Sequence, residues 1–356
     1  MKRIGIFGGT FNPIHSGHIG VALKAAAEHR LDKVLVVPAA CNPFKAGCGA
    51  DALRWTLVKC ACAPHAVLEP WNFELAKGGR SYSIDTVRAV KGRYPEAELF
   101  FIVGEDNVAD IPRWKDSGEL SRLVTFIPFP RTPESSTEVR RRLAAGEPIG
   151  DMVPQVVADF LEPKAVVFDF GGVMSVSPRN DSWPLLDFCK KLGLSKEAFD
   201  RGWDNYRVKW DGGECSFEDM YGMIFADAAL PPPTQEQMAR LWELDAVCWI
   251  KELSVDTLAL MKDLKAAGKK IGMLSNMSVD FYERLFVPHC AQYRALVDVE
   301  AISGKERMFK PERRIYDLIA SRLEVLPSDL LFLDDTESNV VAARKFGWRA
   351  HVFRAQ

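Results

Sequence analysis

No apolar run in this chain approaches the roughly 18 consecutive residues that a membrane-spanning helix needs. The start of the chain also lacks the pattern of a signal peptide. Met1, Lys2 and Arg3 lead straight into a short strand-like run, Ile4 to Phe7, with neither an apolar core nor a cleavage site. Charge of one sign is missing as well. The formal net charge is -2, so no global field selects nucleic acid or an anionic membrane, and a local cluster such as Arg140, Arg141 and Arg142 is judged by its context. The cysteines Cys41, Cys48, Cys60, Cys62, Cys189, Cys215, Cys248 and Cys290 form no CxxC pair, and no histidine stands at zinc-finger spacing. Cys60 and Cys62 are expected on one helix, where residues two apart face different directions. Reduced, mostly buried thiols in a cytoplasmic protein are the simplest reading. No internal repeat and no low-complexity segment is present.

What is present is globular. The 356 residues suggest two domains at roughly 100–200 residues each, and 47% hydrophobic with 26% charged residues is ordinary for such chains. Two segments share one grammar of apolar run, glycine-rich turn and chemistry: Arg3 to Phe7 before Gly8-Gly9-Thr10, and Ala165 to Phe168 before Asp169-Phe170-Gly171-Gly172. Between them an amphipathic stretch, Val153 to Leu161, closes on Glu162-Pro163, where proline disfavours helix at the preceding residue. The boundary is therefore expected near 162, giving domains 1–162 and 163–356. Lys33 to Val37, Leu99 to Val103, Val124 to Ile127, Lys270 to Leu274 and Leu330 to Leu333 read as buried parallel strands separated by helical patterns. The fold class is α/β, two Rossmann-like parallel-sheet domains. A helix-rich insertion at about 181–252, interrupted by Pro231-Pro232-Pro233, belongs to the second.

Residues 8–18 read Gly-Gly-Thr-Phe-Asn-Pro-Ile-His-Ser-Gly-His. Gly8 and Gly9 let backbone approach a polyanion closely. A helix starting near Ser16 would aim its free N–H groups and positive dipole end at the same anion. His15 and His18, three apart, point to one side of its first turn, where imidazoles donate to phosphate oxygens and follow changing charge near neutral pH.

These residues resemble the nucleotidyltransferase superfamily with the His-x-Gly-His signature, and more closely nicotinate-nucleotide adenylyltransferases, over residues 1 to about 161. Val37-Pro38 through Asn42-Pro43-Phe44-Lys45 resembles that family's loop ending in a phosphate-binding lysine, Lys45. Arg80 to Thr86, with Ser81 and Thr86, is similar to its Ser-Tyr-Thr-x-Asp-Thr segment. Gly104, Asp106 and Trp114 match its Gly-x-Asp…Trp stretch near the dinucleotide. Ser135, Ser136, Thr137 and Arg140 match its Ser-Ser-Thr-x-x-Arg helix start, where hydroxyls and arginine meet ATP phosphates. Gly8, Gly9, Thr10 and Phe11 complete the implied nucleotide site. The resemblance implies transfer of AMP from ATP to nicotinate mononucleotide, giving nicotinate adenine dinucleotide and pyrophosphate. ATP is then a substrate, Mg²⁺ a cofactor, and His15, His18, Lys45 and Arg140 catalytic. Departures are Asn12 for a frequent Asp, Phe44 for a frequent His, and only Thr132-Pro133-Glu134 where the family has a few dozen residues. Ser135 with Glu138 also reads as a capping box.

The second turn places Asp169 at the carboxyl end of a first strand, where open α/β sheets bind ligands. Ser275-Asn276 after a strand, Lys310-Pro311, and Asp334-Asp335 with Asn339 after another strand follow in order. Together they resemble the haloacid dehalogenase superfamily over 164–356, with the insertion as its cap. The resemblance implies that Asp169 attacks phosphorus to form an aspartyl-phosphate, that Ser275 and Lys310 hold the phosphoryl group, and that Asp169, Gly171, Asp334 and Asp335 hold Mg²⁺, with Asn339 beside them. Gly171 departs from the second Asp that most phosphatases of the superfamily carry, which protonates the leaving oxygen. A branch resembling sugar-1-phosphate phosphatases shares the glycine. Hydrolysis is expected to favour leaving groups needing little proton assistance, and Gly171→Asp to help alkyl esters where the cap leaves room. Two alternatives stay open: one domain active with the other a binding or structural module, and a dehalogenase. The implied partners are small molecules, without nucleic acid or membrane; oligomerisation is left open.

Overall fold

The computed structural model describes residues 1–40, 50–177 and 183–355. Lys45, with Phe44, Cys41 and Cys48, lies outside them. The chain divides into two units, Met1–Glu162 and Pro163–Gln356.

The apolar runs become strands because both of their faces can be covered by helices, the usual condition of parallel sheets. In the first unit these are β1 (Arg3–Gly9), β2 (Lys33–Pro38), β3 (Leu68–Pro70), β4 (Glu98–Gly104) and β5 (Thr125–Phe129). They pair in the order β3-β2-β1-β4-β5, every ladder parallel. Ile4, Ile6, Leu35, Val37, Phe101 and Val103 build the core on one face. The chain runs outward from β1 through β2 and β3, then crosses back to β4. This makes the carboxyl ends of β1 and β4 a topological switch point, where a crevice opens in such sheets.

The second unit repeats the plan. β6 (Ala165–Phe168), β7 (Lys270–Ser275), β8 (Val299–Ile302), β9 (Leu330–Asp334) and β10 (Arg349–Val352) lie in the order β10-β9-β6-β7-β8, again all parallel. The switch point falls between β6 and β9, whose ends carry Asp169 and Asp334. Between β6 and β7 the chain makes helices Pro184–Lys191, Lys196–Asp211, Phe217–Asp227, Gln235–Trp242 and Cys248–Lys251. Ser195, Ser216 and Thr234 cap three of them through their side-chain oxygens. Trp183, Phe199, Trp210, Phe217 and Tyr221 are buried within them. Among the described residues, no helix is long and apolar enough to cross a membrane.

Candidate active sites

In the first unit the turn after β1 feeds helix Ser16–Glu28, and the two histidines cap that helix reciprocally. The His18 main-chain N–H donates to His15 Nδ1 at 3.3 Å, and the His15 N–H to His18 Nδ1 at 3.2 Å. Both Nδ1 atoms therefore accept, which leaves the protons on Nε2, the outward edge of each ring. The rings stack with centroids 3.5 Å apart. Burial drives the His15 pKa down to about 4, against a smaller upward pull from the Glu134 carboxylate. This corrects the expectation that both imidazoles change charge near neutral pH: His15 is a fixed neutral donor there. The sign is that of a depressed base, which takes up a proton in the folded chain only well below the ordinary histidine range.

Other predicted residues meet this turn through its backbone. Arg140 donates to the Asn12 carbonyl at 2.6 Å and Ser136 Oγ to the Pro13 carbonyl at 3.0 Å. Arg140 also approaches Thr137 Oγ1, at 3.4 Å. Ser135 caps helix Ser136–Ala145 by accepting from the Glu138 N–H at 3.1 Å. The expected box does not close, because the Glu138 carboxylate turns to Arg141 and Arg142. Ser81 Oγ accepts from the Ala40 N–H at 3.0 Å, which ties the segment before helix Ser83–Arg93 to the end of β2. Thr86 is buried and spends its hydroxyl on Glu74, at 2.5 Å. Phe11 is a buried support whose ring meets His18 edge-on at 5.0 Å. Gly104 ends β4, and Asp106 beyond it pairs with Arg131. Trp114 packs against Phe101 and Phe126, on the flank of the core.

One residue carried no sequence signal. Arg54 is almost wholly buried and donates to the Thr10 carbonyl at 2.5 Å and the Ala39 carbonyl at 2.8 Å. It thus ties together the turns that follow β1 and β2. A buried arginine on a helix is indistinguishable in sequence from a solvated one.

The shortened connection also finds its place. It crosses the first turn of helix Ser16–Glu28, where a Cβ at Gly17 would stand 2.1 Å from Thr132 Oγ1 and 2.8 Å from Glu134 Oε2. Glu134 thus brings a carboxylate to the positive end of the helix, which is favourable without ligand and would compete with a phosphate bound there. Glu134→Gln is expected to lower the KM for ATP about threefold with a smaller change in kcat. Steady-state kinetics check this; an unchanged or raised KM places the carboxylate clear of the phosphate path.

The second unit gathers its predicted residues at the ends of β6, β7 and β9. Asp169 Oδ1 accepts from Ser275 Oγ at 2.8 Å, from the Phe170 N–H at 2.7 Å and from Lys310 Nζ at 2.8 Å. Lys310 Nζ also reaches Asp334 Oδ2 at 2.7 Å. All four side chains are buried. Burial pushes the Asp169 carboxyl up to about 7, with Lys310 opposing. Burial alone would discharge Lys310, yet its two carboxylate neighbours hold its pKa above the ordinary lysine range. Asn339 Nδ2 donates to both Asp334 oxygens at 3.1 Å. Asn276, beside Ser275, exchanges hydrogen bonds of 2.9 and 3.0 Å with the Lys310 main chain and so sets where that lysine starts.

Asp169, Asp334 and Asp335 bring one carboxylate oxygen each to within 4.8 Å of one another. Gly172 makes this closeness sterically feasible: it has φ +71, and a Cβ there would lie 2.4 Å from Asp335 Oδ2. Three hard oxygen donors on a buried ammonium suit a Mg²⁺ ion better than a soft metal. At Gly171 a Cβ would meet the Trp249 ring at 3.3 Å, so a side chain there needs the indole to give by a few tenths of an ångström.

Comparison with known proteins divides the chain at the same place. The family model described as haloacid dehalogenase-like hydrolase matches residues 163–347, and the one described as cytidylyltransferase-like matches 6–142. A protein of Shouchella clausii named probable nicotinate-nucleotide adenylyltransferase is 38% identical over 189 residues, covering 48% of this chain and 98% of the relative. One of the same name from Geobacter sp. is 42% identical over 150 residues, 41% of this chain and 69% of its own length. A solved haloacid dehalogenase family enzyme from Bacteroides thetaiotaomicron, in complex with magnesium and inorganic phosphate, superposes on 54% of this chain and 95% of its own, with TM-score 0.43 and 18% identity. Through residues 163–347 the chain belongs to the haloacid dehalogenase-like hydrolases, and through its N-terminal half to the family of nicotinate-nucleotide adenylyltransferases.

Proposed function

We propose that the chain is a bifunctional enzyme of NAD biosynthesis. Its N-terminal domain, 1–162, transfers AMP from ATP to nicotinate mononucleotide. Its C-terminal domain, 163–356 with a helical cap at about 181–252, hydrolyses a phosphate compound through an aspartyl-phosphate. The observation that carries the first activity is the reciprocal histidine cap, two neutral Nε2–H donors set side by side at a helix start. For the second it is the buried lysine bridging two carboxylates.

In adenylyl transfer an acceptor phosphate oxygen attacks the α-phosphorus of ATP and pyrophosphate leaves. The attacker is already anionic, so no general base is required, and catalysis reduces to alignment and to neutralising charge. His15 and His18 donate to phosphate oxygens, Arg140 adds fixed positive charge, and Ser135, Ser136 and Thr137 lie at a second helix start. Lys45, outside the described residues, is assigned the acceptor side on the resemblance alone.

In the hydrolase domain an Asp169 carboxylate oxygen attacks phosphorus. A carboxylate–phosphorus bond forms, the bond to the leaving oxygen breaks, and water then cleaves the acyl phosphate. Ser275 and Lys310 stand ready for the phosphoryl oxygens. Asp169, the Gly171 carbonyl, Asp334 and Asp335 would hold Mg²⁺, which when bound neutralises phosphoryl charge. Asn339 orients Asp334. The six described cysteines are all free, which agrees with a cytoplasmic enzyme.

Two assays on the purified chain test this. Pyrophosphate release is expected with ATP and nicotinate mononucleotide; preference for phosphopantetheine, or no turnover with any acceptor, refutes the first activity. Rates across esters of graded leaving-group pKa, with excess Mg²⁺, are expected to fall steeply as the pKa rises, because Gly171 offers no acid. A flat series shows that another group supplies the proton. Activity in one assay alone leaves the other domain as a binding module.

A further inference from the structure

Trp249 stands on the return leg of the insertion, in the short helix Cys248–Lys251. That leg is pinned to the loop that follows Asp169. Ser175 and Leu253 form an antiparallel bridge, the Val176 N–H donates to the Glu252 carbonyl at 2.9 Å, and the Ser254 N–H to the Met174 carbonyl at 2.9 Å. This register carries the indole over Gly171. A Cβ there would meet Cζ3 at 3.3 Å, and Cε3 and Cη2 at 3.8 Å, so the six-membered ring faces the backbone two residues beyond Asp169. Among the described residues, the indole Nε1 is buried without a hydrogen-bond partner. That is a cost a phenylalanine would not carry, so the position uses the area of the ring and not its polar edge.

In-line displacement expels the leaving group from the face of phosphorus opposite the attacking oxygen. Asp169 sits at the end of the sheet with Ser275 and Lys310 against it. The leaving group therefore departs toward whatever covers that end, and the side chain covering Gly171 is Trp249. We propose that Trp249 is a specificity-determining residue of the hydrolase domain: its six-membered ring is the wall against which the leaving group departs, and it selects phosphate compounds whose leaving group presents the flat apolar face of a ring. An aryl ring or the C–H face of a sugar gains contact there; a small ringless leaving group gains little. The leaving oxygen departs as its anion and takes a proton from solvent, since residue 171 offers none. This inference rests on Asp169 being the nucleophile.

The test compares wild type, Trp249→Ala and Trp249→Phe as the full chain with excess Mg²⁺, on 4-nitrophenyl phosphate, glucose 1-phosphate and acetyl phosphate. The alanine variant is expected to raise KM for the two ring-bearing compounds about tenfold and for acetyl phosphate by less than about threefold, with phenylalanine recovering most of the loss. Equal changes on all three substrates, or no change, overturn the assignment. A second variant pair guards against misfolding. Gly171→Asp with Trp249→Ala is expected to hydrolyse glycerol phosphate faster than Gly171→Asp alone, because the pair relieves the tight contact between residue 171 and the indole; equal rates count against the wall. Calorimetry in an Asp169→Asn background separates the two readings, with glucose 1-phosphate expected to bind more tightly than inorganic phosphate only while Trp249 is present. If that holds but no phosphate compound turns over, the nucleophile reading fails and the wall stands; if it does not hold, the wall fails.

Discussion

Replacing Asp169 by asparagine is expected to lower hydrolysis of every phosphate compound by about 10⁴-fold or more, while pyrophosphate release from ATP stays within about twofold of wild type. The substitution is close to isosteric, and its carbonyl oxygen can still accept from Ser275, Phe170 and Lys310, the three donors now on Oδ1. What is lost is the negative charge. An amide does not attack phosphorus, and it offers a bound cation a weaker ligand. The loss also leaves Lys310 with Asp334 as its one remaining carboxylate partner among the described residues, so a modest fall in melting temperature accompanies it. Melting curves and circular dichroism separate that fall from unfolding. Turnover surviving in the folded variant removes the covalent mechanism.

Why Asp169 was legible in sequence, and Trp249 was not, is a matter of chain distance. Asp169, Ser275 and Asp334 each end or follow an apolar run, so a strand-end rule points to them, while Lys310 ends no strand and was legible only through its place in order between Ser275 and Asp334. The same rule finds β2, β4, β5, β7 and β9. It misses β3, β8 and β10, which are short and lie at the sheet edges, where Glu69, Glu300 and Arg349 alternate with apolar residues. Trp249 reaches Gly171 only because Ser175 and Leu253 pair across the whole insertion, and no periodicity announces that pairing. The expectation for Gly171→Asp depended on this room, which the indole narrows to a 3.3 Å contact with a Cβ there.

Burial is the second thing a sequence hides. The His-x-Gly-His spacing placed both imidazoles at the helix start, but their protonation follows from how deeply His15 is buried and from what its Nδ1 accepts. Glu138 shows the same limit in reverse. Its spacing from Ser135 fits a capping box, yet two arginines on the next turn compete for the carboxylate and win it. Arg54 and Glu74 are charged residues whose buried bonds to Thr10 and Thr86 became visible only once the turns around them had been placed.

The histidine pair sets the second large effect. His18→Ala is expected to lower adenylyl transfer about 10²–10³-fold, the usual cost of deleting one preorganised donor to transition-state charge. Phosphate-ester hydrolysis is expected to stay within about twofold, because its residues belong to the other compact unit. The alanine removes three things together: the Nε2–H donor, the ring stacked on His15 and the acceptor for the His15 N–H. His18→Asn distinguishes among them, since its side-chain oxygen can restore the cap without reproducing the imidazole donor. Recovery of melting temperature without recovery of kcat assigns the effect to the donor; recovery of both assigns it to the helix start. His15 stays neutral from about pH 5.5 to 8, so its titration adds no inflection to the pH profile of transfer over that range. If transfer and hydrolysis fall together in a folded His18→Ala protein, the two activities do not occupy separate sites, and the division of labour between Met1–Glu162 and Pro163–Gln356 is refuted.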